Sequence, residues 1–178
     1  MYHKIFQLGE GQITAQTYYK EETGFGFVDP IHIPGKTHSE QSLYLGGWNL
    51  RASALKDVGS FAHTTSDGVE TDNERAVLVF KADVEQDGAY QVLVNITSGD
   101  EPIHNMKLFC GRRNLIARNI ELPAHSSKVI SFITYVSPYI PAMTSIPMEE
   151  KAIYISYTGH HASISQITIT ETNAPVLY

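Results

Sequence analysis

Between residues 75 and 171, apolar side chains come in short runs and alternations of strand length, each cut off by Gly, Pro, Asn, Asp or Ser. Side chains repeat with a period of two along a strand, so this pattern predicts one β-strand after another and no long amphipathic helix. Residues 75–82 hold Ala76-Val77-Leu78-Val79-Phe80, a continuous apolar run expected of a central strand covered on both faces. Asp87-Gly88 is a hairpin signal, and the strand predicted over 89–97 puts Tyr90, Val92, Val94 and Ile96 on one face. These two strands are expected to be antiparallel neighbours. Further strands are predicted over 105–110, 114–122, 128–136, 152–158 and 163–171, with a turn at Gly159-His160-His161.

The first third of the chain is less regular. A strand is predicted over 2–8, then a turn at Gly9-Glu10-Gly11 and a second extended piece over 12–19. Residues 20–73 are rich in Gly, Ser, Thr, His and Asp with scattered apolar positions, which reads as a long loop region. Within it, Leu43-Tyr44-Leu45 leads into Gly46-Gly47-Trp48-Asn49, a turn presenting the only Trp; residues 50–58 fit a helical turn or a strand. Many strands without intervening helices predict an all-β fold, a β-sandwich or jelly roll. A chain of 178 residues suits one domain, over 1–172, able to hide roughly 70% of its unfolded surface. The apolar residues after Pro175 make 173–178 look like the start of a linker to a further C-terminal domain.

Charge and cysteine usage narrow the function. A net charge of −6 disfavours nucleic acid, whose affinity for proteins comes from clustered Lys and Arg, and Arg112-Arg113 is too small a patch to reverse this. A neutral, hydroxyl-rich ligand is compatible with it. With Cys110 the only cysteine, no intramolecular disulfide can form. No stretch approaches the ~20 apolar residues of a membrane-spanning helix. The N-terminus runs from Phe6 straight into polar residues without the apolar run of a signal peptide, so the expected location is cytoplasmic, or secreted if a leader has been removed.

Catalytic motifs are missing. Acyl transfer needs a serine on a tight turn, a histidine in reach and a carboxylate to orient it. There is no Gly-x-Ser-x-Gly, Ser98-Gly99-Asp100 runs opposite to Gly-Asp-Ser, and Asp29-Pro30-Ile31-His32 has no partner serine motif. His160 and His161, being adjacent, are expected on opposite faces of an extended backbone, where they cannot clasp one ion. Residues 67–74 form an acidic loop that lacks the spacing of a helix-loop-helix calcium site. If a structural calcium is present, its candidate ligands are Asp67, Asp72 and Glu171. For sugar binding, an aromatic platform flanked by hydrogen-bonding side chains is needed. Trp48 with Asn49 and Arg51 is the best local constellation, although a lone Trp also serves as a core plug. Tyr139, in the proline-bearing loop 135–141, is a further candidate contact.

Three features together resemble one family. Tyr19-Lys20-Glu21-Glu22-Thr23-Gly24-Phe25-Gly26-Phe27, Asp87-Gly88-Ala89-Tyr90-Gln91-Val92 and Cys110-Gly111-Arg112-Arg113-Asn114-Leu115 are similar to motifs of the galactose-binding-like jelly-roll domain that precedes the catalytic domain in two-domain rhamnogalacturonan acetylesterases of the SGNH (GDSL) class. Ala174-Pro175-Val176-Leu177-Tyr178 resembles the entry into the esterase. The family's catalytic residues have no matching positions here. The resemblance implies a bacterial, non-catalytic accessory domain that binds pectic polysaccharide, or one that packs on the esterase as a scaffold without binding sugar. A free-standing esterase is the third reading.

Overall fold

The computed structural model describes residues 1–28, 62–72, 77–111, 114–136 and 151–173, and all the regular structure in them is β. The strands are β1 (His3–Gln7), β2 (Phe25–Val28), β3 (Ala62–Thr65), β4 (Gly68–Thr71), β5 (Val77–Asp83), β6 (Gly88–Thr97), β7 (Ile103–Cys110), β8 (Asn114–Leu122), β9 (Ser127–Val136), β10 (Ala152–His160) and β11 (Ser163–Thr172). They form two sheets. One runs β3-β4-β11-β6-β9, with β1 also paired to β11; the other runs β2-β5-β10-β7-β8. Every pairing between these strands is antiparallel. The result is a jelly-roll β-sandwich, the expected fold class.

Alternation explains how the two layers hold together. Tyr90, Val92, Val94 and Ile96 of β6, with Ile167 and Ile169 of β11, turn inward and are buried. From the facing sheet Phe80, Met106, Leu108, Ile155 and Tyr157 meet them, each fully buried. Tyr157 carries a polar atom into this core and satisfies it by donating to the Val69 carbonyl at 2.8 Å. Burial pushes that phenol well above its ordinary pKa, so it remains a neutral donor. At one end of the sandwich, burial pushes Tyr2 up to about 12, with Tyr90, Asp83 and Glu85 adding to the effect.

The strand pattern after residue 75 matches the sequence expectation closely, including β5 as a strand covered on both faces. One pairing differs. β5 and β6 lie in different sheets, β5 between β2 and β10 and β6 between β11 and β9. Residues 84–87 carry the chain from one layer to the other, and Tyr90 clasps this crossing by donating to the Gln86 carbonyl at 2.6 Å. Asp87-Gly88 marks a turn, but the burial of both strands against one core decides where each goes. The piece over 12–19 forms no strand; single bridges from Ile13 to Leu8 and from Tyr18 to Phe27 hold it. The supposed loop region 20–73 contains β2, β3 and β4 among its described residues. Residues 29–61 lie outside the described residues, and with them the expected Trp turn.

Cys110 ends β7, buried, and desolvation pushes its thiol up despite its contact with the Thr134 hydroxyl at 3.5 Å. The nucleophilic species is the thiolate, so native Cys110 should be nearly inert to iodoacetamide at neutral pH. Labelling is expected to follow the denaturant unfolding curve; rapid labelling of the native protein would contradict its burial.

Candidate functional site

Beside β1 the two sheets leave an open groove of about 690 Å³, lined by residues 3–7 of β1 and by Gln12, Ile13, Thr17 and Phe25. Its shape follows from the ladder. Leu8 donates to the Ser165 carbonyl and Glu171 donates to the Tyr2 carbonyl, both at 2.9 Å, so even-numbered residues of β1 spend their backbone groups on β11. His3, Ile5 and Gln7 therefore turn theirs to the groove, where the Gln7 carbonyl accepts from Ile13 N–H at 3.1 Å. Phe6 and Phe25 make the floor, ring centroids 5.3 Å apart and tilted by 52°. Phe6 is buried and Phe25 half-buried. Lys4 lies over the Tyr2 ring at 5.2 Å. An aromatic and aliphatic floor with amide, hydroxyl, imidazole and ammonium groups around it can seat a polar ring compound. No sequence motif pointed here, because the lining comes from three separated stretches, each ordinary alone.

On the second sheet, Lys81 is almost fully buried, its Nζ 3.9 Å from the Tyr19 ring centroid, 5.7 Å from that of Tyr154 and 4.0 Å from Asp83 Oδ1. Tyr19 donates to Asp83 Oδ2 at 2.7 Å. This enclosed cation ties the 12–19 segment to β5.

A third cluster gathers histidines at one end of the sandwich. His63 of β3 sets Nε2 2.6 Å from Glu70 of β4 and Nδ1 against Asp72. His161 Nδ1 stands 3.6 Å from the other Glu70 oxygen, and the His160 and His161 rings touch edge to face at 4.5 Å. The expectation that these two point apart fails because His161 has a left-handed backbone, φ 53°, and is not extended. His104 stacks near His160 and contacts Glu121 at 2.7 Å. Hydrogen bonds from His104 and then from Asn105 N–H hold the Glu121 carboxyl below its ordinary range. Among the described residues no group of three or more His, Cys, Asp or Glu side chains has the geometry to hold a metal ion.

The three candidate calcium ligands are not brought together. Asp67 sits in the β3–β4 turn, Asp72 follows β4 against His63, and the Glu171 carboxylate accepts from Tyr2 N–H at 3.0 Å. The pairing of Ser163 with Glu70 puts β4 at the start of β11, whereas Glu171 lies near its far end, roughly 26 Å away at ~3.3 Å per residue. Glu70 belongs to a strand and is buried, not part of a solvated acidic loop. Ser98 is buried, donates to the Pro123 carbonyl, lies 3.1 Å from the Ser126 carbonyl, and accepts from Ser126 N–H at 2.9 Å. Trp48, Asn49, Arg51 and Tyr139 lie outside the described residues.

No protein-family profile matches the sequence, and no curated protein matches it. Solved structures do. The Bacillus subtilis protein YxiM overlays 99% of this chain with a TM-score of 0.56 at 15% identity, and the chain spans 42% of that protein's length. A family 35 carbohydrate-binding module from Clostridium thermocellum overlays 59% of this chain and 78% of its own, with a TM-score of 0.38 at 10% identity. A Podospora anserina β-(1,4)-mannanase that carries a family 35 module overlays 62% of this chain and 22% of its own, with a TM-score of 0.40 at 11% identity. At these identities the likeness to YxiM is one of fold, a β-sandwich that is one part of a longer chain.

Proposed function

We propose that this chain is a non-catalytic accessory domain that binds plant cell-wall polysaccharide, attached to a carbohydrate acetylesterase of the SGNH class. The groove beside β1 carries the proposal: Phe6 and Phe25 form its floor, and Lys4, Gln12, Thr17 and the backbone groups of His3 and Ile5 line it with the hydrogen-bonding groups that sugar hydroxyls need. The motif resemblances over 19–27, 87–92 and 110–115 supply the acetylesterase context, and pectic sugar as the ligand is argued by that analogy. A second reading, a scaffold that packs on the esterase without binding sugar, has the half-exposed Val129, Ile133 and Tyr135 in its favour.

Isothermal titration of the chain with rhamnogalacturonan, galactan and mannan oligosaccharides tests the proposal. Saturable heat with at least one is expected, and it should fall at least tenfold in affinity for Phe25→Ala. Absence of heat with all three, from a folded sample, would leave the scaffold reading. Because the candidate calcium ligands do not converge, EDTA is expected to leave the heat unchanged.

A further inference from the structure

The wall that bounds the groove is also the rim of a broad sheet face. Alternation along the strands turns His3, Ile5 and Gln7 of β1 outward, and pairing lays three rows across the sheet. One runs Gln7, Gln166, Asn95, Val129; the next Ile5, Thr168, Leu93, Ser131; the third His3, Thr170, Gln91, Ile133. Tyr135 follows beside Ala89, which pairs in turn with Thr172. The face contains no Asp, Glu, Lys or Arg. The chain has 13 basic and 19 acidic residues, about one position in six, so an outward face of this size without any is unusual.

The hydrogen-bonding groups are already ordered. Gln7 donates to Gln166 and Gln166 donates to Thr168, both at 3.1 Å. His3 and Thr170 meet at 2.8 Å, and Gln91 reaches Ser131 at 3.4 Å. Side chains tied this way lose little further freedom when a ligand arrives. Between them Ile5, Val129, Ile133 and Tyr135 stay about half exposed, at 52%, 56%, 51% and 47%. Four strands at ~4.8 Å spacing make the face roughly 14 Å wide.

We propose that the groove and this face form one surface for an uncharged glycan chain. The inference rests on the carbohydrate-binding reading and narrows it to the class of ligand and the place it lies: the galacturonate-bearing backbone of a pectic chain is excluded, and its neutral side chains are kept. An uncharged chain of hydroxyls brings both donors and acceptors, which fixed amides and hydroxyls match without desolvating an ion. The exposed aliphatic groups and Tyr135 meet the C–H faces of its rings. A polyuronate would find a single cation, Lys4 in the groove, already lying over the Tyr2 ring, and none on the sheet face, in a protein of net charge −6. A protein partner fits less well, because interface cores are enriched in aromatic residues, Met and Arg, and Tyr135 alone represents them here.

Retention in native affinity gels tests this with three samples: the wild-type chain, an Ile133→Lys/Gln91→Lys variant, and Leu115→Lys as a matched control on a half-exposed residue of the opposite sheet. Circular dichroism melts confirm that each is folded. Wild type and Leu115→Lys are expected to be retarded by neutral galactan or mannan and not by polygalacturonate, with retention at least tenfold weaker in the double variant. Equal retention by the double variant would overturn the sheet face while leaving carbohydrate binding intact. Equal or stronger retention by polygalacturonate would overturn the uncharged ligand. Retention by no polysaccharide would end the carbohydrate reading itself. A wild-type dimer in sedimentation, lost in the double variant, would assign the face to a second copy instead.

Discussion

Replacing Gly26 with Ala is expected to cost about 3–5 kcal/mol of stability, from steric overlap and backbone strain together. Gly26 has φ +144°, a conformation L side chains rarely adopt, and a Cβ built there would stand 2.4 Å from Tyr19 N and 2.5 Å from Tyr18 C. Both are backbone atoms, held in place by hydrogen bonds from Tyr19 N–H to the Phe27 carbonyl at 2.9 Å and from Phe27 N–H to the Thr17 carbonyl at 2.8 Å. The clash cannot be relieved by turning a side chain. Relief would lift the 12–19 segment off β2, part Tyr19 from Lys81 and Asp83, and shift Thr17 in the groove wall. Gly24→Ala is the contrast: its nearest neighbour is an Asp83 side-chain oxygen at 3.5 Å, so only the positive φ of +76° opposes it, at about 1 kcal/mol. Urea titrations of the two variants should show a large loss and a small one. Equal midpoints would mean that the segment does not cross Gly26 closely.

The second large effect is expected at Phe80. Its side chain is fully buried, with Phe6 at 5.2 Å and Phe27 at 5.6 Å in edge-to-face contact. Phe80→Ala leaves a cavity in an aromatic cluster drawn from both sheets and should cost about 3–5 kcal/mol. Loss of this support also frees Phe6 in the groove floor, so ligand affinity should fall along with stability. Phe25→Ala separates the two effects, because Phe25 is half-buried: stability should change by about 1 kcal/mol while binding is largely lost. A Phe80→Ala protein as stable as wild type would contradict the aromatic cluster as the join between the sheets.

Most of the sandwich was legible in the chain because β5 to β11 are long and their apolar positions either alternate or run continuously. What the period cannot reveal is partnership. β5 and β6 read as a hairpin from Asp87-Gly88, yet each is drawn to a different layer of a shared core. β2, β3 and β4, four residues each, were hidden by Gly, Thr and His, and Glu70 looked like part of an acidic loop because nothing local announces its burial. The calcium candidates illustrate the same limit. Asp67 and Asp72 are near in sequence, but a strand separates them, and Glu171 is at the far end of another.

The candidate site was invisible for a topological reason. β1 pairs with β11, so His3 meets Thr170 across nearly the whole length of the chain, and β6 and β9 extend that row from the middle. An uncharged face assembled from four distant segments has no signature in any one of them. The platform expected from sequence, Trp48 with Asn49 and Arg51, depended on neighbours in the chain, whereas the groove and face depend on neighbours in the sheet.

Chemical-shift mapping of backbone amides during titration with a neutral oligosaccharide separates this surface from the rest of the sandwich. Perturbations are expected in residues 3–7, 12–17, 91–95 and 129–135, with little change around His63, Glu70 and His161. Saturable shifts confined to the histidine end, or to the outer face of the β2-β5-β10-β7-β8 sheet, would contradict this placement.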